Sequence, residues 1–80
     1  MTKEDERLLA EARRTREFAY APYSRFAVGA AVLGTSEKIY GGCNVENGAF
    51  SLTNCAERTA IFQAVAAGET AFRALAVIAD

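Results

Sequence analysis

A chain of 80 residues holds one small domain, and at that size burial is modest unless a metal, a partner subunit or further sequence assists. With 51% hydrophobic and 24% charged residues, the composition is that of a folded globular domain and excludes the apolar-poor profile of disorder. Nine Lys/Arg against ten Asp/Glu give a net charge of −1, which implies no basic surface for nucleic acid.

The opening Met1 to Arg7 lacks the apolar core of a signal peptide, and no apolar run is long enough to cross a bilayer. A soluble cytoplasmic protein without membrane partners is therefore expected. The two cysteines, Cys43 and Cys55, are too few for a disulfide scaffold and read as reduced thiols, ligands or core fillers. No histidine is present, which removes the Ser-His and Cys-His hydrolases and deprives a Cys55 nucleophile of its usual base. Chemistry here needs carboxylate, thiolate or metal.

From Thr2 to about Tyr20, Leu8, Leu9, Ala12 and Ala19 recur with helical spacing, so the segment reads as an amphipathic helix capped by Thr2. Pro22 is expected to end it, with Ala21-Pro22-Tyr23-Ser24 as a turn. Phe26 to Leu33 is apolar at odd and even positions, which fits a strand covered on both faces. Gly29, Ala30 and Ala31 leave room for close packing. After a turn at Gly34 to Glu37, Lys38 to Cys43 reads as the returning strand of a hairpin, weakened at its end by Gly41-Gly42.

Asn44 to Asn54 is polar and turn-rich, Cys55 to Ala67 is a helix that Gly68 terminates, and Phe72 to Ala79 is a further strand apolar on both faces. The order α-β-β-α-β predicts a layered α/β domain over residues 1–80, with a mixed sheet covered by helices. A buried-type strand directly before Asp80 is where such a unit feeds another loop and helix, so the sequence reads as cut.

Thr53-Asn54-Cys55-Ala56-Glu57-Arg58 puts a thiol at the first turn of the second helix, where unpaired N–H groups and the dipole favour thiolate, the form that binds metal. Glu57 stands close enough to reach a water held there and to carry its proton. The same spacing also reads as a capping box from Asn54 to Glu57 around a buried structural cysteine. A catalytic zinc takes three protein ligands, and beyond Cys55 the sequence offers only Cys43 as a thiol or imidazole.

Three runs, Tyr20-Ala21-Pro22-Tyr23-Ser24-x-Phe26-x-Val28-Gly29-Ala30-Ala31, Gly42-Cys43-Asn44-Val45-Glu46-Asn47 and Cys55-Ala56-Glu57-Arg58, come in an order and spacing that resemble the small homotetrameric, zinc-dependent cytidine deaminases. The resemblance runs from about Leu8 onward and implies a cytidine deaminase-like fold, cut after its third strand. It implies zinc, one per complete subunit, with Cys55 as a ligand, Glu57 as proton carrier and Arg58 offsetting the thiolate charge.

By the same resemblance Asn44 and Glu46 hold the ribose hydroxyls, Phe26 packs against the base and Ala56 offers its backbone to it. Read on their own, Asn44 and Glu46 fit a solvated loop, Phe26 fits core and Arg58 fits a surface charge. The other two zinc ligands, from a Pro-Cys-x-x-Cys motif, would fall just beyond Asp80. Phe50 stands where such sequences carry tyrosine.

The implied activity is hydrolytic deamination of cytidine or deoxycytidine in pyrimidine salvage, by a homotetramer with a nucleoside substrate. Two other readings stay open: a non-catalytic fragment or interaction module without stable zinc, and a deaminase of another aminopyrimidine such as a blasticidin-type antibiotic.

Overall fold

A computed structural model describes residues 1–48 and 54–79, so expectations at Phe50 and Thr53 lie outside the described residues. The first helix, α1, spans Lys3–Arg16. Thr2 caps it reciprocally: its Oγ1 accepts from the Asp5 N–H at 3.1 Å, and the Asp5 carboxylate accepts from the Thr2 N–H at 3.1 Å. Glu4, Asp5 and Glu6 in the first turn and Arg13, Arg14 and Arg16 in the last complement the helix dipole.

Helix α1 stops at Arg16 and not near Tyr20, because Tyr20 is drawn into a different pairing. Its N–H donates to Asn44 O at 2.9 Å, and its carbonyl accepts from the Glu46 N–H at 2.8 Å. That parallel bridge to Val45 needs extended backbone, so the break precedes Pro22 instead of depending on it.

Strands β1 (Val28–Gly34), β2 (Ile39–Cys43) and β3 (Phe72–Ala79) form a sheet of order β2-β1-β3. The second helix, α2, spans Ala56–Ala66. The layered α-β-β-α-β order stands, but these strands pair antiparallel throughout and the expected mixed sheet is not formed among the described residues. The cause is topological: the α2 crossover returns β3 in the direction of β2, yet β1 lies between them and opposes both.

Strand β1 is buried on both faces, as its two-sided apolar pattern predicts. Leu8 and Ala12 of α1 pack with Ala31 and Leu33 on one face, while Ala56, Ala60 and Ala64 of α2 pack with Ala30 and Val32 on the other. The alanine stripe brings α2 unusually near. A Cβ at Gly42 would lie 2.3 Å from Ala60 N and 2.8 Å from Ala56 O, so this residue is required for backbone-on-backbone contact. Gly41 and Gly42 thus do not fray β2; both are buried and paired with Ala31 and Ala30.

Gly68 ends α2 in the left-handed region at φ 94°, with its N–H to Val65 O at 2.9 Å and the Glu69 N–H to Ala64 O at 2.9 Å, a Schellman arrangement. Strand β3 is covered on one face only: Ala74, Ala76 and Ile78 pack under α1, whereas Leu75 and Val77 remain 52% and 44% exposed. Helix α2 lies over β1 and β2 and reaches β3 only marginally, so the predicted two-sided cover of β3 is half met.

Candidate active site

Three stretches converge at the end of the sheet where β1 begins. Asn44, which follows β2 directly, is buried and clamps the chain ahead of β1: its Nδ2 donates to Phe26 O at 2.8 Å and its Oδ1 accepts from the Val28 N–H at 3.0 Å. Those bonds explain why β1 starts at Val28 and not at Phe26. The Phe26 peptide groups are committed to side chains, not to the ladder. Asn44 is therefore no solvated loop residue, and Phe26, 45% exposed, is not core.

Glu46 fastens the preceding turn. Its Oε1 accepts from the N–H groups of Tyr23 and Ser24, each at 3.0 Å, and its Oε2 accepts a short hydrogen bond from Ser24 Oγ. The Ser24 hydroxyl first, then these backbone donors, hold the Glu46 carboxyl below its ordinary value against the opposing effect of burial.

Cys55 is the N-cap of α2, with extended backbone at φ −79° and ψ 161°, and its side chain makes no capping bond. The Asn54 to Glu57 capping box is not formed, because the helix starts one position later than that box requires. Cys55 is an exposed free thiol and not a small core filler. Cys43 differs: it is half-buried, and burial pushes its thiol up, away from the thiolate a metal takes.

A cavity of about 370 Å³ joins the stretches, lined by Ser24, Phe26 and Val28, by Asn44 and Glu46, and by Asn54, Cys55, Ala56 and Glu57, with Val77 of β3 as its apolar wall. That volume is in the range of small-molecule sites. Six residues singled out in the sequence, Phe26, Asn44, Glu46, Cys55, Ala56 and Glu57, therefore share one space. Arg58 is exposed on α2 and does not line the cavity.

Hydrogen-bond capacity remains in it. Among the described residues Asn44 uses one of its two N–H donors and Glu46 three of roughly four carboxylate acceptor positions. A donor and an acceptor in one cavity match a hydroxyl, which both accepts and donates. For a metal, Cys55 offers the soft donor zinc takes. No group of three His, Cys, Asp or Glu side chains converges among the described residues, so they do not complete a zinc ligand set.

Sequence reasoning passed over Ser24 as a site residue. Its signal was available: a serine two residues before Phe26 and just after a proline turn is placed to accept the N–H at i+2, as it does from Phe26 at 3.1 Å.

Residues 2–79 match the family described as the cytidine and deoxycytidylate deaminase zinc-binding region. The chain belongs to the cytidine deaminase family. It is 60% identical over 75 residues to a cytidine deaminase of Sporosarcina psychrophila, covering 94% of this chain and 55% of that protein. To one of Halalkalibacterium halodurans it is 52% identical over 73 residues, covering 91% and 55% respectively.

The crystal structure of cytidine deaminase from Burkholderia pseudomallei superimposes with a TM-score of 0.89 at 50% identity, covering all of this chain and 63% of that one. The cytidine deaminase of Mycobacterium tuberculosis gives 0.90 at 38% identity, with 98% and 63% covered. This deaminase-family chain thus spans about half the length of the curated relatives it matches. No helix among its described residues is long and apolar enough to cross a membrane.

Proposed function

We propose that the protein carrying this chain hydrolyses cytidine or deoxycytidine to the uridine product and ammonia, and that this segment supplies the nucleoside pocket, one zinc ligand and the proton carrier. The observation that carries the reading is the single cavity lined by Phe26, Asn44, Glu46, Cys55, Ala56 and Glu57.

Phe26 offers its ring to the flat base, and the remaining donor of Asn44 and acceptor of Glu46 take a sugar hydroxyl. Glu57, two residues into the helix that Cys55 caps, receives a proton from the attacking water and delivers it to the leaving amino group, so that ammonia departs neutral. Cys55 would hold zinc together with two ligands from outside this chain, about one metal per complete subunit. Zinc, when bound, supplies the Lewis acid that activates water for attack at C4 of the ring. Arg58 is read as offsetting the charge that sulfur ligands place on that metal. The setting proposed is pyrimidine salvage in the cytoplasm by a homotetramer, which the resemblance to small deaminases supports.

In the full-length zinc-loaded protein, Glu57→Gln is expected to lower cytidine turnover by at least about a hundredfold while zinc content and melting temperature stay at the parent values. Unchanged turnover would overturn the role of Glu57; a parent protein that neither holds zinc nor deaminates cytidine would overturn the whole reading.

A further inference from the structure

The Ser24 hydroxyl occupies an unusual place in the cavity wall. It donates to Glu46 Oε2 and accepts from the Phe26 N–H at 3.1 Å, so one oxygen links the carboxylate to the backbone that carries the ring. The other end of the same residue is gripped by Asn44 Nδ2 on Phe26 O at 2.8 Å. Phe26 is thereby fixed on both peptide sides by side chains of the cavity. Arg25, between Ser24 and Phe26, sits in the left-handed region at φ 58°, a conformation that a non-glycine residue keeps only when its neighbours hold it.

We infer that Ser24 is a positioning residue, whose hydroxyl couples engagement of the sugar at Glu46 to placement of the Phe26 ring over the base. The inference rests on the nucleoside reading of the cavity and adds a residue to it. The physics is that of a shared carboxylate. A sugar hydroxyl takes the acceptor position of Glu46 that Tyr23 and Ser24 leave over, and the bond from Ser24 keeps the Glu46 rotamer fixed before substrate arrives. Without the hydroxyl, Glu46 loses one charge-assisted partner and the Phe26 N–H loses its acceptor. Sugar recognition then has to order both groups.

The test compares cytidine with dideoxycytidine, which lacks both vicinal hydroxyls, in the full-length zinc-loaded protein. Ser24→Ala is expected to raise KM for cytidine about tenfold with kcat near the parent value, and to raise it clearly less for dideoxycytidine, which still meets Phe26 but makes no bond to Glu46. Ser24→Thr, which keeps the hydroxyl, should restore the preference for cytidine. The double variant Ser24→Ala/Glu46→Gln should be little worse than Glu46→Gln alone, since both act through one carboxylate.

Equal losses on the two substrates, or full additivity in the double variant, would reduce Ser24 to a structural role and overturn the inference while leaving deamination intact. Absence of cytidine turnover in the parent would instead sink the reading on which it rests.

Discussion

Two carboxylates stand at opposite ends of β1, each gathering hydroxyl and backbone donors from a turn, and they differ in what they leave over. At the hairpin end Glu69 is buried, 8% exposed, and accepts from Ser36 Oγ, from Thr35 Oγ1 at 3.4 Å and from Tyr40 Oη at 3.5 Å. It ties the β1–β2 turn to the exit of α2. At the cavity end Glu46 ties the turn at Tyr23 and Ser24 in the same manner, but beside the open cavity. The same device serves architecture where it is enclosed and, on the proposed reading, recognition where it is not; what separates the two is access, not chemistry.

Exchanging the insult between the two ends is the sharpest way to break this comparison. Glu46→Gln should raise KM for cytidine about tenfold or more with little change in melting temperature. Glu69→Gln should lower the melting temperature by several degrees and leave KM alone. If both variants moved both quantities, the two ends would be mechanically one.

A smaller effect is expected with pH. The Ser36 hydroxyl foremost holds the Glu69 carboxyl below its ordinary 4.5, with Thr35 and Tyr40 adding to it against burial. A carboxyl depressed in the folded state contributes stability above its unfolded value, and that stability is lost as pH falls through the folded value. Melting temperature should therefore drop as pH is taken from about 5 towards about 3, and less steeply in Glu69→Gln than in the parent. Parallel curves would show that the turn does not depend on this charge.

Much of this was legible in the sequence. The Thr2 cap, the Gly68 stop, the two-sided burial of β1 and the gathering of Phe26, Asn44, Glu46, Cys55, Ala56 and Glu57 all follow from local chemistry or from the order of three motifs. What escaped were features set by distant partners. The end of α1 depends on Tyr20 pairing with the segment after β2, and the direction of β3 depends on β1 lying between it and β2. Glu69 looks like any surface charge after a helix until the hairpin turn, more than thirty positions away, folds over it. Ser24 was hidden differently, because a serine in a proline turn has an ordinary local role that masks the shared carboxylate.

The half-covered strand β3 leaves an apolar face turned away from α1. Strand β3 alternates Leu75 and Val77 outward and has β1 as its one ladder partner among the described residues. Arg73, near the entrance of the strand and paired with Glu37 and, at 3.6 Å, with Glu4, is the one charged side chain within it. Arg73 therefore interrupts an otherwise wholly apolar run, and neutralising it is expected to raise aggregation of the unfolded chain, as light scattering during refolding would read.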